Sequence, residues 1–154
     1  MSTPLRILFL CTGNSCRSQM AEGWAKALKP GVIMATSAGI ERHGMNPLTV
    51  RAMAEEGVDI TSQWSKTLED LNTSAFDYVI TLCGHAHETC PHFAGQAMVF
   101  HHGFDDPAIL GQGLPEEEAM ENYRRVCAEI RAYVEALPGN LPARTHQAQN
   151  GFTI

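Results

Sequence analysis

The sequence lacks both a long hydrophobic segment and an excess of positive charge. Its first apolar run, residues 5–10, is shorter than the core of a secretory signal and far short of the roughly 18 residues of a membrane span. Lysine and arginine number 11 against 17 acidic residues, and the net charge is −6. Such a charge does not attract nucleic acid or an anionic membrane. We therefore expect a cytoplasmic protein that binds neither of them.

The sequence also lacks an even set of cysteines. Five cysteines do not suit a framework of structural disulfides and are instead expected to be reactive or buried. A length of 154 residues with 44% hydrophobic residues is enough for one domain with a sizeable core. We expect a single catalytic domain over residues 1–138 and a polar C-terminal tail over residues 139–154.

Strand and helix patterns alternate along the chain. Four short, continuously apolar runs predict parallel strands that are covered on both faces, at 5–10, 32–38, 78–82 and 97–100. Apolar spacing and capping residues predict three helices between and after them, at 18–29, 47–56 and 115–137. This alternation predicts an α/β three-layer sandwich with a four-stranded, mostly parallel sheet in the order 2-1-3-4.

Three chemically capable groups follow the carboxyl ends of predicted strands. Cys11 ends the first strand, Cys83 ends the third, and the pair Asp105-Asp106 follows the fourth. Ligands of open parallel sheets bind beyond this edge. The predicted strand order also makes the strands of Cys11 and Cys83 neighbours, so we expect one site there.

The segment CTGNSCRS, residues 11–18, joins the first strand to the first helix. Its amides and the helix N-terminus can bind an anion, and Gly13 and Asn14 tolerate the left-handed backbone that a tight amide nest requires. Arg17 can add a bidentate contact, while the positive field favours the thiolate of Cys11. Ser18 is placed to donate a hydrogen bond to that sulfur. The alternative is a buried structural cysteine beside a helix N-terminus.

This segment resembles the phosphate-binding loop of the low-molecular-weight protein tyrosine phosphatase superfamily. The later segments SAGI and DDPA resemble further motifs of that superfamily, and the resemblance spans about residues 5–137. It implies that fold, with Cys11 as nucleophile, Arg17 as oxyanion clamp and Ser18 as partner of the thiolate. It implies an oxyanion-binding loop of six residues: Thr12, Gly13, Asn14, Ser15, Cys16 and Arg17.

The general acid of the family is an aspartate directly before a proline. By resemblance that residue is Asp106, before Pro107, and Asp105 is the adjacent alternative. An aspartate at this position can also serve only to cap a turn.

The chain departs from tyrosine phosphatases at two places. Arg42 stands where those enzymes carry an aromatic residue after the AG turn, and the segment DDPAILGQG has no tyrosine just after the Asp-Pro pair. The segment LCGHAHETC instead supplies Cys83 and Cys90. In this pair the sequence resembles the thioredoxin-coupled arsenate reductases, which use the phosphatase loop for arsenate.

That resemblance implies a cascade of three thiols that converts arsenate into arsenite. Cys11 attacks arsenic while Asp106 protonates the departing oxygen. Cys83 then attacks the sulfur of Cys11, arsenite leaves, and Cys90 next forms a disulfide with Cys83. Thioredoxin is the expected external reductant, with a glutaredoxin as the other possible donor. The resemblance implies no bound cofactor, and we expect a monomer.

The spacing of the two later cysteines carries a structural expectation. In a helix, Cys83 and Cys90 would lie about 10.5 Å apart along the axis, whereas a disulfide needs Cα atoms about 4.4–6.8 Å apart. We therefore expect this segment to unwind during turnover.

The remaining cysteines and histidines are assigned no catalytic step. Cys16 is expected to pack inside the loop, and Cys127 lies on the apolar stripe of the last helix. His85, His87 and His92 lie around the later cysteines, but their spacing fits no zinc pattern and we predict no metal.

Some arsenate reductases of this family hold potassium beside the loop with an asparagine, a glutamate and an aspartate. Asn14 and Glu22 match two of these ligands, but Lys66 stands in place of the aspartate. A fixed ammonium there would compete with the cation, so we predict that activity does not require potassium.

Two other functions are compatible with the same loop. One is a low-molecular-weight protein tyrosine phosphatase that hydrolyses phosphate monoesters and uses the extra cysteines as redox brakes. The other is a non-catalytic oxyanion sensor.

Overall fold

The fold is built around a four-stranded parallel sheet, seen in a computed structural model that describes residues 3–72, 75–89 and 97–142. The strands are β1 (Leu5–Cys11), β2 (Ile33–Gly39), β3 (Tyr78–Thr81) and β4 (Met98–His101). Their order is β2-β1-β3-β4, and every neighbouring pair is parallel. The predicted α/β class and strand order are confirmed.

The central strand β1 is covered on both faces. Its last five residues, 7–11, are all buried, although successive side chains of a strand point to opposite faces. This explains why its sequence is continuously apolar. The register aligns Cys11 with Gly39 of β2 and Leu10 with Thr81 of β3. Cys83 follows shortly after Thr81, so the ends of β1 and β3 bring the two cysteines to one edge.

Five α-helices are present in the described ranges: α1 (Arg17–Leu28), α2 (Pro47–Glu55), α3 (Gly84–Thr89), α4 (Pro107–Leu110) and α5 (Glu116–Glu135). A 3-10 helix spans Leu68–Asp70. The predicted helices correspond to α1, α2 and α5, with ends shifted by one or two residues. Within these ranges no helix combines the length and the apolar character that a membrane span needs.

Capping residues fix α2 as the sequence predicts. The Asn46 side chain accepts hydrogen bonds from the amides of Leu48 and Thr49 at 2.8 and 3.3 Å, and Pro47 occupies the first helical position. Gly57, just beyond the helix, has a φ of 82°, which is the left-handed geometry of a helix end.

The long helix α5 packs its apolar stripe into the core. Its buried residues are Ala119, Met120, Tyr123, Val126, Cys127, Ile130 and Val134. Cys127 is 1% exposed and burial raises the pKa of its thiol to about 11, so its packing role is confirmed and it stays a neutral thiol. Beyond the helix the described chain ends at Pro142, whose carbonyl accepts a hydrogen bond from Tyr78. Most of the expected tail, residues 143–154, lies outside the described residues.

Candidate active site

A cavity of about 550 Å³ opens at the carboxyl edge of the sheet. Its floor is formed by the loop between β1 and α1, and its walls include His43, Cys83, His85 and Asp106. One cavity is therefore lined by all three groups expected at this edge, Cys11, Cys83 and Asp106, and also by Arg17. The strand order explains this, because β1 and β3 are adjacent and β4 lies beside β3.

The sulfur of Cys11 lies at the bottom of this cavity. It is 2.8 Å from the hydroxyl oxygen of Ser18, in the first turn of α1. The side-chain amide of Asn14 donates to that same oxygen at 2.8 Å, so the hydroxyl hydrogen is left to be donated to the sulfur. This arrangement suits a thiolate at Cys11.

Asn14 shapes the loop from behind and does not face the cavity. Its φ is 50°, the left-handed geometry that the sequence predicts. Its side-chain oxygen accepts hydrogen bonds from the Lys66 amide and the Gln19 side chain, both at 2.8 Å, and its amide also donates to Ser37. Of the six loop residues expected around the oxyanion, Asn14 is the one absent from the cavity wall.

Gly13 is needed for a different reason from the one expected. Its φ is not among the positive values of the chain, so the expectation of a left-handed Gly13 is wrong. A Cβ atom at this position would instead lie 2.1 Å from Nδ1 of His43. The absent side chain makes room for the imidazole ring, which covers the loop at this point.

The cavity wall after β2 is formed by His43 and not by Arg42. The Arg42 guanidinium pairs with Asp70 on the surface. Arg42 therefore does not take the place of the aromatic residue that lines the cavity in tyrosine phosphatases. Two backbone hydrogen bonds hold His43 at the cavity. The amide of Glu41 donates to the carbonyl of Thr12 at 2.8 Å, and the amide of His43 donates to the carbonyl of Gly13 at 3.0 Å. His43 could not be predicted from the sequence, because these contacts join segments about 30 residues apart and leave no local pattern.

Arg17 is buried and held by two groups that precede α4. One terminal nitrogen donates to the carbonyl of Phe104 at 3.0 Å, and the other lies 3.3 Å from the Asp106 carboxylate. Its Nε is buried without a hydrogen-bond partner in the described part of the chain. A buried cationic N–H without an acceptor is costly, so this edge of the guanidinium is suited to an anion in the cavity.

Only one of the two adjacent aspartates faces the cavity. Asp106 lines it and also caps α4, because its other oxygen accepts the Ala108 amide at 3.0 Å. Asp105 points to the surface, where its carboxylate lies 3.0 Å from Arg125 and its side chain is 64% exposed.

Cys83 lies against the loop that carries Cys11. Its sulfur is 3.1 Å from the hydroxyl of Thr12, the residue after Cys11. The Ala86 amide donates to the same sulfur at 3.3 Å, so Cys83 caps the first turn of α3. The predicted partner Cys90 lies just beyond the end of α3 and outside the described residues.

Cys16 lines the cavity but is not poised for reaction. It is 6% exposed, and burial raises the pKa of its thiol to about 11, with the charges of Asp106 and Cys11 contributing in the same direction. A neutral, buried thiol is a poor nucleophile.

Behind the loop, Lys66 lies beside Asn14 and Glu22, as the sequence predicts. Its ammonium lies 3.3 Å from Glu22, and the two side chains are 9% and 5% exposed. Burial alone would raise the pKa of Glu22, but hydrogen bonds from Lys26 and Ser37 and the charge of Lys66 lower it below its usual value. The carboxylate beside the loop is therefore already paired with cations of the chain itself.

Comparison with known proteins places this geometry in a family. Residues 6–147 match the family model described as low molecular weight phosphotyrosine protein phosphatase. The chain is 50% identical over 124 residues to arsenate reductase of Bacillus subtilis, covering 80% of this chain and 88% of the relative. It is 44% identical over 135 residues to arsenate reductase of Brevibacillus brevis, covering 88% and 98%.

Solved structures give the same pattern. One described as an arsenate reductase in the phosphate binding state superimposes with a TM-score of 0.73 at 34% identity, over 90% of this chain and 99% of the other. A low molecular weight protein tyrosine phosphatase from T. tengcongensis gives a TM-score of 0.68 at 26% identity, over 89% and 99%.

Proposed function

The chain belongs to the low molecular weight phosphotyrosine protein phosphatase family, and within it we propose that this protein is an arsenate reductase. The observation that carries the proposal is the position of a second thiol. The sulfur of Cys83 contacts Thr12, next to the nucleophile Cys11, and both thiols line the same anion cavity. A phosphatase needs only one of them, whereas a reductase needs a second sulfur within reach of the first. The names of the two relatives described above support this choice.

In the first step the loop binds arsenate as it would bind phosphate. The guanidinium of Arg17 offers its unpaired Nε and a terminal nitrogen to two oxygens of the anion. The Cys11 thiolate attacks arsenic, and one oxygen leaves as water after Asp106 supplies a proton. The hydrogen bond between Ser18 and Cys11 stabilises the thiolate before the attack.

In the second step the thiol of Cys83 attacks the sulfur of Cys11. The electron pair of the sulfur–arsenic bond stays on arsenic, which leaves as arsenite, and a Cys11–Cys83 disulfide forms. Arsenic is reduced by two electrons, and the two thiols are oxidised by the same number.

In the third step Cys90 attacks Cys83 and frees Cys11. The resulting Cys83–Cys90 disulfide is reduced by an external dithiol protein, for which we propose thioredoxin. The helix α3 lies between the two cysteines and must unwind to let them meet. Cys83 caps this helix through the Ala86 amide, so drawing its sulfur into a disulfide also weakens a contact that holds the first turn.

One assay series tests the whole proposal. Arsenate-dependent oxidation of NADPH, coupled through thioredoxin and thioredoxin reductase, should disappear in Cys11→Ser, Cys83→Ser and Cys90→Ser. Cys127→Ser is the matched control, because that thiol is buried in the core away from the cavity. It should retain turnover.

Hydrolysis of an aryl phosphate separates the main alternative. A phosphatase would need Cys11 but would keep its activity in Cys83→Ser, and it would show no arsenate turnover. A sensor would bind the anion and show neither reaction.

A further inference from the structure

His43 lines the cavity and is held there by three contacts, two with Gly13 and one with Glu41. Its ring lies against the backbone of Gly13, and its backbone amide bonds the carbonyl of that residue. Its Nε2 lies 2.8 Å from a carboxylate oxygen of Glu41. The side chain is 49% exposed, so it is both fixed in position and open to solvent. Such a ring can change charge without moving.

We propose that protonated His43 is a second cationic group for the oxyanion beside Arg17, held in position by Glu41, and that it determines the preference for a small inorganic dianion over an aryl ester. The inference takes the identity of the substrate from the proposed function. The charge of His43 affects only anions that bind in this cavity.

The charged and titratable groups around His43 come from several elements. Glu41 is its direct partner, and His85 of α3 lies on the same cavity. The floor and far wall contribute Cys11, Arg17 and Asp106. Histidine changes charge between about pH 5 and 8, so the cavity gains positive charge as the pH falls through this range.

The partner of His43 is a carboxylate that stays ionised. The hydrogen bond from His43, together with the charges of His43 and His85, lowers the pKa of the Glu41 carboxyl. Glu41 is therefore ionised throughout the range in which histidine titrates. Because a carboxylate can only accept hydrogen bonds, the contact with Glu41 requires an N–H on Nε2 of His43.

The same ring accounts for selectivity. An aryl ester would place its ring against the wall of the cavity, where an aromatic residue offers apolar contact. His43 instead offers a polar ring, which is unfavourable to an apolar group but can interact with an inorganic oxyanion. The departure from tyrosine phosphatases thus lies at His43.

Sulfate binding tests the charge argument, because sulfate keeps two negative charges throughout the range used. We would measure its affinity by calorimetry at about pH 5.5 and 8.5 in a Cys11→Ser background, which removes titration of the nucleophile. The affinity should fall about tenfold with rising pH. With His43→Gln the fall should shrink to about twofold. Thermal unfolding would check that each variant is folded.

Two further variants make the result decisive. Arg42→Gln is the adjacent control, and since its side chain pairs with Asp70 outside the cavity it should not change the pH dependence. His85→Gln separates the second histidine. The proposal is overturned if sulfate does not bind, or if the tenfold fall persists without His43.

Turnover tests the selectivity. His43→Phe keeps a ring over Gly13 and should raise the ratio of aryl phosphate to arsenate turnover about tenfold; an unchanged ratio would refute this part. If the wild-type protein fails to reduce arsenate but its sulfate binding depends on His43 as described, the proposed function fails while the role of His43 in anion binding holds.

Discussion

Replacing Lys66 with methionine should weaken the support behind the active-site loop. Lys66 and Glu22 form a buried pair 3.3 Å apart, and the Lys66 amide also holds Asn14. Methionine keeps most of the side-chain volume and the backbone contact but removes the positive charge. Lys26 pairs with the same carboxylate while being 55% exposed, so Lys26→Met is the matched control.

The size of the effect follows from burial. Removing one partner of a buried pair costs about 3–5 kcal/mol, but Glu22 keeps the hydrogen bonds from Lys26 and Ser37. We therefore expect Lys66→Met to lower the free energy of unfolding by about 2–3 kcal/mol. Lys26→Met should lower it by at most about 1 kcal/mol, because an exposed pair is worth little.

The stabilisation from the Lys66–Glu22 pair should depend on pH. Glu22 has a lowered pKa in the folded protein, so its contribution to stability is complete above the usual glutamate value of about 4.3 and is lost as the pH falls through the folded value. The stability difference between wild type and Lys66→Met should shrink over that acidic range. Urea unfolding at neutral and acidic pH measures both quantities.

Potassium provides the second assay of this variant. Arsenate turnover of the wild type should be the same in potassium and sodium chloride at equal ionic strength. Lys66→Asp, which removes the ammonium and adds a carboxylate, should become dependent on potassium. A potassium-dependent wild type, or equal losses of stability in Lys66→Met and Lys26→Met, would refute the reasoning.

Three other outcomes are expected. Asp106→Asn should lower kcat for arsenate about 10²- to 10³-fold, whereas Asp105→Asn should change it less than twofold; equal losses would contradict the assignment of the general acid. Gly13→Ala should reduce kcat/KM at least about tenfold, because its Cβ would collide with His43, and normal activity would show that the ring can move aside. Amide exchange across α3 should be faster in oxidised than in reduced protein, and equal protection in both forms would remove the unwinding step.

The sequence was sufficient to predict the sheet because its central strands, β1 and β3, are continuously apolar and buried, although the edge strand β4 alternates between half-buried and exposed residues. Burial on both faces dictates such composition, as in β1, and capping residues such as Asn46 marked the start of α2. The helix α4 went unpredicted, since four residues are too few to show a helical period.

The site was predictable where its residues end strands or follow them directly. Cys11, Cys83 and Asp106 were found in this way, because strand order alone brings them to one edge. His43 was missed, and Asn14 lies behind the loop and outside the cavity wall. Their positions depend on hydrogen bonds between distant segments, which no spacing within one segment reveals.

The contact between Arg17 and Asp106 competes with the binding of an anion in the cavity. The Asp106 carboxylate already lies beside one terminal nitrogen, whereas Nε has no partner among the described residues. A monovalent ion such as chloride can occupy only one position beside the guanidinium, whereas a tetrahedral anion with two charges can engage Nε and a terminal nitrogen at once. We therefore expect Asp106 to disfavour monovalent anions beside Cys11.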